Sequence, residues 1–153
     1  MHNKLFAVLA LSLLCVFNFQ FSTAQAQGTG VTWTPRWSPA QWSSIACSAD
    51  GTKVYAVSPG DISASTDSGV TWAYRNNSQN WHYVTCSADG TKLAASCGDY
   101  TPVFKSTDSG TNFTEHSDSL YTGDSLASSA DGTKLVVAAP GYDIFTSTDS
   151  GAT

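Results

Sequence analysis

The sequence is poor in several residue types that particular functions require. Among its 153 residues are only two arginines, Arg36 and Arg75, and one glutamate, Glu115. Binding to nucleic acid needs a basic surface, so this scarcity and the formal net charge of −5 argue against a nucleic-acid partner. Beyond residue 26 no apolar run approaches the roughly 20 residues of a membrane-spanning helix, and apolar residues show no helical periodicity. We therefore expect no membrane span and a chain built from strands.

The first 26 residues have the pattern of a secretory signal peptide. Lys4 precedes an apolar run over residues 5–19, and a small-x-small Ala-Gln-Ala sequence ends at residue 26. Loss of this segment, with its single lysine, takes the formal net charge from −5 to −6. We therefore expect a secreted, periplasmic or extracellular protein whose mature chain begins at Gln27.

Three cysteines follow the signal segment: Cys47, Cys86 and Cys97. Because the number is odd, at least one of them is unpaired within the chain. Cys47 and Cys86 stand in the same position of two repeats, and the third repeat has Ser128 there. Replacement by serine favours a small packing residue over a disulfide partner.

Two short motifs recur along the remaining chain. Ser-Ala-Asp-Gly-Thr-Lys occurs at residues 48–53, 87–92 and 129–134. Ser-Thr-Asp-Ser-Gly occurs at residues 65–69, 106–110 and 147–151. A fixed period of about 40 residues indicates a repeat architecture.

Strand-like apolar runs flank both motifs. An Asp-Gly pair between such runs predicts a hairpin, because glycine accepts a positive φ without steric cost. In the first repeat, residues 45–47, 54–57, 62–64 and 71–74 form four short strands, which is the blade of a β-propeller. We therefore predict an all-β fold of four-stranded antiparallel blades, about three of them present as an incomplete ring. The predicted blades cover roughly residues 38–75, 76–115 and 116–153, with residues 30–35 as a stray fourth strand.

The second motif with its following aromatic resembles the Asp-box, or BNR, repeat of sialidases, sortilin-like receptors, xyloglucanases and photosystem II assembly factors. The resemblance implies a turn between the third and fourth strands of each blade. Because the aspartates recur once per blade and are spread around the ring, we expect them to be structural rather than catalytic. The residues concerned are Ser65, Asp67, Gly69 and Trp72, then Ser106, Asp108, Gly110 and Phe113, then Ser147, Asp149 and Gly151.

Ligand-binding residues are expected where the repeats diverge. The uniform motif turns share one edge of each blade, and the variable connections share the opposite edge. Trp42 and Trp81 occupy matching positions near those connections, with His82 beside Trp81 and Tyr121 in the longest loop. The two tryptophans are either an aromatic platform for a ligand or packing between blades. A lone histidine does not predict a metal site, and nothing in the sequence predicts a cofactor.

Two classes of function remain open. One is a secreted binding or scaffold module for a glycan or protein partner. The other is a fragment of a glycoside hydrolase, sialidase-like or xyloglucanase-like. Resemblance to sialidases implies a site with three arginines, which a chain with two arginines does not match. No pair of catalytic carboxylates is assignable either. With three blades, the chain is either part of a longer propeller, which its end inside a motif favours, or one half of a homodimeric six-bladed ring.

Overall fold

The computed structural model describes residues 33–37, 40–76, 79–97, 102–116, 125–138, 141 and 143–152. The chain divides into two units, Met1–Thr34 and Pro35–Thr153. The described strands all lie in the second unit. In the part of the chain that the structure describes, no helix is long and apolar enough to cross a membrane.

The described strands form three antiparallel sheets, one for each sequence repeat. Blade 1 contains β1 (Ser44–Cys47), β2 (Val54–Ser58), β3 (Asp61–Ser65) and β4 (Ala73–Asn76). Blade 2 contains β5 (Tyr83–Cys86), β6 (Leu93–Ser96), β7 (Val103–Ser106) and β8 (Thr114–Glu115). Blade 3 contains β9 (Ser125–Ser128), β10 (Leu135–Ala138) and β11 (Ile144–Ser147). Each strand pairs with the next along the chain.

The predicted fold class, an all-β propeller with about three antiparallel blades in an incomplete ring, is confirmed. Strand β4 begins at Ala73 rather than at residue 71, because Thr71 is held in the preceding turn by Asp67. Residues 33–35 of the predicted stray strand have no strand conformation, and residues 30–32 lie outside the described part of the chain.

The Ser-Ala-Asp-Gly-Thr-Lys motif closes the hairpin between the first two strands of each blade. In blade 1 the Ser48 amide donates to the Lys53 carbonyl at 2.9 Å, and the Gly51 amide donates to the Ser48 carbonyl at 2.9 Å. Gly51 has a φ of 71°, a conformation that side-chain-bearing residues rarely adopt. The Ser68 amide of the second motif donates to the Thr52 carbonyl at 2.9 Å. The two motif turns therefore lie together on one edge of the blade.

The hydrophobic core lies between the blades. One face of blade 1 packs against the facing side of blade 2, and the core residues are Tyr55, Val57, Ile62, Ala64, Trp81, Val84, Leu93, Ala95 and Cys97. A second cluster joins blade 2 to blade 3 and contains Ala94, Val103, Leu135 and Val137. Strands β1, β5 and β9 line a common cavity of about 440 Å³. Each blade is thus stabilised mainly by its neighbour.

Candidate functional site

The aspartates of the Asp-box-like turns are held by hydrogen bonds within their own turns. In blade 1, Ser65 Oγ donates to Asp67 Oδ1 at 2.8 Å and accepts from the Gly69 amide at 2.8 Å. Asp67 also accepts from the Thr71 amide at 2.8 Å and from the Thr71 hydroxyl at 2.6 Å. Trp72 Nε1 donates to the Gly69 carbonyl at 3.0 Å, which holds the aromatic ring over the turn.

Blade 2 repeats this geometry, and blade 3 keeps the serine–aspartate hydrogen bond. In blade 2, Asp108 accepts from the Asn112 amide at 2.9 Å and from Asn112 Nδ2 at 2.7 Å. In blade 3, Asp149 accepts from Ser147 Oγ at 2.7 Å and from the Ala152 amide at 2.9 Å. Asparagine at residue 112 supplies the same two donors as Thr71, which explains why the motif tolerates that difference.

Hydrogen bonding keeps these carboxylates ionised. Donation by Thr71 and Ser65 lowers the pKa of Asp67 from 3.8 to about 2, and donation by Asn112 and Ser106 lowers that of Asp108 to about 2. A carboxylic acid with a pKa this low is a poor general acid near neutral pH. The arrangement is that of aspartates which stabilise turns.

A lysine of each first-motif turn reaches across to the next blade. Lys53 Nζ donates to the Asp89 carbonyl at 2.9 Å, and Lys92 Nζ donates to the Asp131 carbonyl at 2.9 Å. A Cβ placed on Gly90 would lie 2.8 Å from Lys53 Cδ. Glycine is therefore required there by the neighbouring lysine as well as by its φ of 65°.

Main-chain hydrogen bonds follow the same path from blade to blade. The Ala49 amide donates to the Ala88 carbonyl at 2.8 Å, and the Ala88 amide donates to the Ala130 carbonyl at 2.7 Å. The Tyr55 hydroxyl adds a buried hydrogen bond to the Gly90 carbonyl at 2.6 Å. The lysines and the alanine amides form an inter-blade clasp that occurs once between blades 1 and 2 and once between blades 2 and 3, in the same direction both times. The Tyr55 bond belongs only to the first of these interfaces.

The structure separates the two tryptophans that the sequence aligned. Trp81 is fully buried and packs against Phe104 and Phe113, with ring centroids 5.1 and 5.4 Å away. It therefore offers no face to a ligand and fills the space between blades 1 and 2. Trp42 is exposed, with 38 % of its surface accessible.

Trp42 belongs to an open groove of about 420 Å³ on blade 1. The groove is lined by Arg36, Trp37, Trp42, Ser43, Ser44, Ile45, Ala56 and Trp72. The ring of Trp37 lies 6.4 Å from that of Trp72 and 5.5 Å from that of Tyr74. We call this side of blade 1, with Gly51 at its motif turn, the leading face.

The leading face of blade 2 is built from repeat-equivalent residues but is covered. Val84, Ala95, Trp81 and Phe113 correspond to Ile45, Ala56, Trp42 and Trp72, and all four pack in the core against blade 1. Val84 is 6 % exposed, whereas Ile45 is 67 % exposed. The groove on blade 1 therefore corresponds to a surface that blade 1 covers on blade 2, and among the described residues no blade covers it on blade 1.

The side of blade 3 that points away from blade 2 is exposed to solvent. Ile144 is 70 % exposed, whereas the equivalent Ile62 and Val103 are 0 % and 5 % exposed under the next blade. Val136 and Lys134 are also exposed there. We call this side of blade 3, defined by Lys134, Val136 and Ile144, the trailing face.

The remaining predicted residues do not form a cluster in the described structure. His82 is half-buried and shares a 3.1 Å hydrogen bond with Asn80. Tyr121 lies outside the described residues. Cys86 lines the cavity between the first strands, and burial raises the pKa of its thiol to about 11, which makes it unreactive near neutral pH. No group of three or more metal-ligating side chains occurs among the residues described.

Sequence reasoning missed Trp37 and the lysines of the clasp. Lys53, Lys92 and Lys134 occupy the last position of the first motif, so their repetition was a visible signal. Periodicity alone shows that such a residue recurs but not that it reaches a neighbouring blade. Trp37 has no counterpart in the repeats, so its contact with Trp72 had no sequence signal.

Comparisons with known proteins identify the fold. No protein-family model and no curated protein matches the sequence. Among solved structures, the chain is similar to a GH74 enzyme from Niastella koreensis, with 21% identity, a TM-score of 0.57, and coverage of 79% of this chain and 18% of that one. It is also similar to YCF48 from Cyanidioschyzon merolae, with 21% identity, a TM-score of 0.61, and coverage of 80% and 39%.

A GH74 xyloglucanase from Xanthomonas campestris is a third such structure, with 13% identity, a TM-score of 0.60, and coverage of 74% and 23%. These proteins are β-propellers, so the predicted propeller is confirmed, while the assignment to Asp-box repeats stays a prediction. At such identities the likeness shows the fold alone. The chain spans between about a fifth and two fifths of the length of these structures.

Proposed function

We propose that this chain is a secreted, non-catalytic binding or scaffold module that holds a protein or glycan partner. The observation that carries the proposal is the leading-face groove, where Trp37, Trp42 and Trp72 line an open space of about 420 Å³. Exposed aromatic surface of this kind marks binding sites, because rings bury much apolar area and stack on flat partners. Arg36 at the same groove adds a donor for a carboxylate or carbonyl oxygen.

The aspartates support a binding role over a catalytic one. In both repeated motifs the carboxylates accept hydrogen bonds from serine, threonine or asparagine of the same turn. These turns recur once per blade, so the aspartates are spread around the structure instead of converging on one site. A glycosidase needs two carboxyl groups about 5–10 Å apart across the scissile bond.

A segment of a glycoside hydrolase is the second candidate, because two of the three solved structures described above are GH74 enzymes. Such an activity would draw residues from blades beyond those described. The same experiment tests both candidates, since it measures binding and hydrolysis together.

The test compares binding and turnover on the same preparation of the secreted protein. Xyloglucan and sialoside substrates are assayed for release of reducing ends, and a glycan array is screened with the wild-type chain and the Trp42→Ala variant. The proposal is supported if the wild-type chain binds a glycan that the Trp42→Ala variant does not bind, and if neither substrate is hydrolysed. The control is Val70→Ala, since Val70 is exposed at the motif edge and not in the groove. Hydrolysis of either substrate contradicts a non-catalytic role.

A further inference from the structure

The trailing face of blade 3 matches two faces that are already covered within the chain. In blades 1 and 2, the residues equivalent to Val136 are Tyr55 and Ala94, and both are 1 % exposed under the following blade. Val136 itself is 39 % exposed. The same sheet position is therefore buried whenever a blade follows and open on blade 3.

The polar groups of the clasp follow the same pattern of burial in blades 1 and 2 and exposure in blade 3. Lys53 and Lys92 are half-buried against the turn of the following blade, whereas Lys134 is exposed. The Ala130 amide stands at the end of the series in which Ala49 and Ala88 donate to the next blade. The trailing face thus carries an ammonium group and a main-chain N–H at the same repeat positions as in the two closed interfaces.

The leading face of blade 1 carries the acceptors that this arrangement needs. The carbonyl groups of Ala49 and Asp50 correspond to those of Ala88 and Asp89, which accept the clasp in blade 2. Space at Gly51 is open, with no atom within 4 Å of a Cβ placed there, whereas the equivalent Gly90 and Gly132 are covered by lysines at 2.8 Å. One chain therefore holds both halves of a single interface.

We propose that two copies of this chain associate head to tail, with the trailing face of one on the leading face of the other. This inference rests on the proposed function, because it names a second copy as the protein partner of the groove. Lys134 of one copy donates to the Asp50 carbonyl of the other, and the Ala130 amide donates to the Ala49 carbonyl. Val136 and Ile144 cover Ile45 and the groove.

In the proposed assembly, two such contacts close a ring. A head-to-tail contact forms a ring when its rotation closes and a filament when it does not. Two copies bring six blades, which lies within the range of about 4–8 blades found in closed propellers. A ring of two copies covers the leading face of blade 1 and the trailing face of blade 3 in each copy, so the proposed assembly is a dimer.

Two surface variants test the direction of the contact. Ile45→Glu places a charge on the leading face, and Ile144→Glu places one on the trailing face. Both side chains are at least two-thirds exposed, so we expect both variants to fold. Val70→Glu, at a residue 53 % exposed outside both faces, is the control that adds the same charge. Masses are measured by light scattering after size exclusion.

We expect wild type and Val70→Glu to be dimers, and each blocked variant alone to be a monomer. An equimolar mixture of the two blocked variants is expected to recover dimers, because each supplies the face that the other has lost. Monomeric wild type would overturn the proposal, as would a blocked variant that still dimerises alone or a mixture that stays monomeric. The wild-type mass decides the question even if a variant fails to fold.

The outcomes separate this proposal from the one on function. A monomer that binds a glycan through Trp42 overturns the dimer and leaves the binding role in place. A head-to-tail dimer that hydrolyses xyloglucan leaves the dimer in place and overturns the non-catalytic role.

Discussion

Lys53 lies directly over Gly90 of the next blade and donates its Nζ proton to the Asp89 carbonyl at 2.9 Å. Lys92 has the same relationship to Gly132 and Asp131. A hairpin turn therefore serves two purposes, since it closes its own blade and receives the lysine of the preceding blade. Contacts between neighbouring blades therefore contribute to the stability of the chain.

Removing a clasp lysine is expected to destabilise the folded chain. In the Ile144→Glu background, which removes the proposed contact between copies, Lys92→Met keeps most of the aliphatic stem but loses the hydrogen bond to the Asp131 carbonyl. The free energy of unfolding should fall by about 1 kcal/mol. Denaturant unfolding measures this change. Lys134→Met in the same background is the control and should leave stability nearly unchanged, because Lys134 is exposed and no blade follows it among the described residues. An equal loss of stability in both variants would contradict the clasp.

The stability costs of Gly51→Ala and Gly90→Ala should separate backbone strain from crowding by a lysine side chain. Gly51 and Gly90 have φ values of 71° and 65°, but only Gly90 lies beneath a lysine side chain. In the Ile144→Glu background, Gly51→Ala should cost about 1–2 kcal/mol for the left-handed backbone conformation. Gly90→Ala should cost about 1–3 kcal/mol more, because the Cβ would lie 2.8 Å from Lys53 Cδ. Thermal and denaturant unfolding measure both, and equal costs would show that Lys53 does not crowd the turn.

The two aligned tryptophans should differ strongly in their effect on stability. Trp81 is fully buried between blades 1 and 2, so Trp81→Ala should cost about 3–5 kcal/mol. Trp42 is 38 % exposed in the groove, so Trp42→Ala should cost about 1 kcal/mol or less in the Ile144→Glu background. Unfolding in denaturant compares the two variants. Similar losses would mean that Trp42 is also covered in the isolated chain.

Acid should weaken the chain through its turn aspartates. The folded-state pKa of Asp67 and Asp108 is about 2, below the ordinary 3.8. Their contribution is therefore fully present above about pH 4 and is lost as pH falls through about 2. The melting temperature of wild type should drop between about pH 4 and about pH 2, and Asp67→Asn should show a smaller drop because its turn no longer titrates.

The control for the acid experiment is Asp143→Asn, which removes one negative charge at an exposed residue outside both motifs. Its melting temperature should fall with pH as that of wild type does. A wild-type curve that stays flat down to about pH 2 would contradict the role assigned to the turn carboxylates.

The sequence predicts what happens inside a blade better than what happens between blades. Strand order and the two turns follow from short apolar runs and from the glycine-containing turn motifs between them, both of which are local. The position of Trp72 over Gly69 is also local, since the two residues are three apart. These features could be read from a single repeat.

Contacts between blades depend on which neighbour is present, and a repeated sequence does not record that. Trp42 and Trp81 have the same place in the repeat, yet only Trp81 has a blade packed in front of it. The same reason separates Ile62 from Ile144 and Lys92 from Lys134. The start of β4 was misplaced for a different reason, because Asp67 keeps Thr71 in the turn through the Thr71 amide and hydroxyl.

A crystal structure of the wild-type assembly tests the central claim most directly, through the distance between Lys134 Nζ of one copy and the Asp50 carbonyl oxygen of the other. Head-to-tail closure predicts a hydrogen bond close to the 2.9 Å found for Lys53 and Lys92, with Ile45 and Ile144 buried at the same contact. Copies that meet through other surfaces, with Lys134 in solvent and the groove of Trp42 empty, would contradict it.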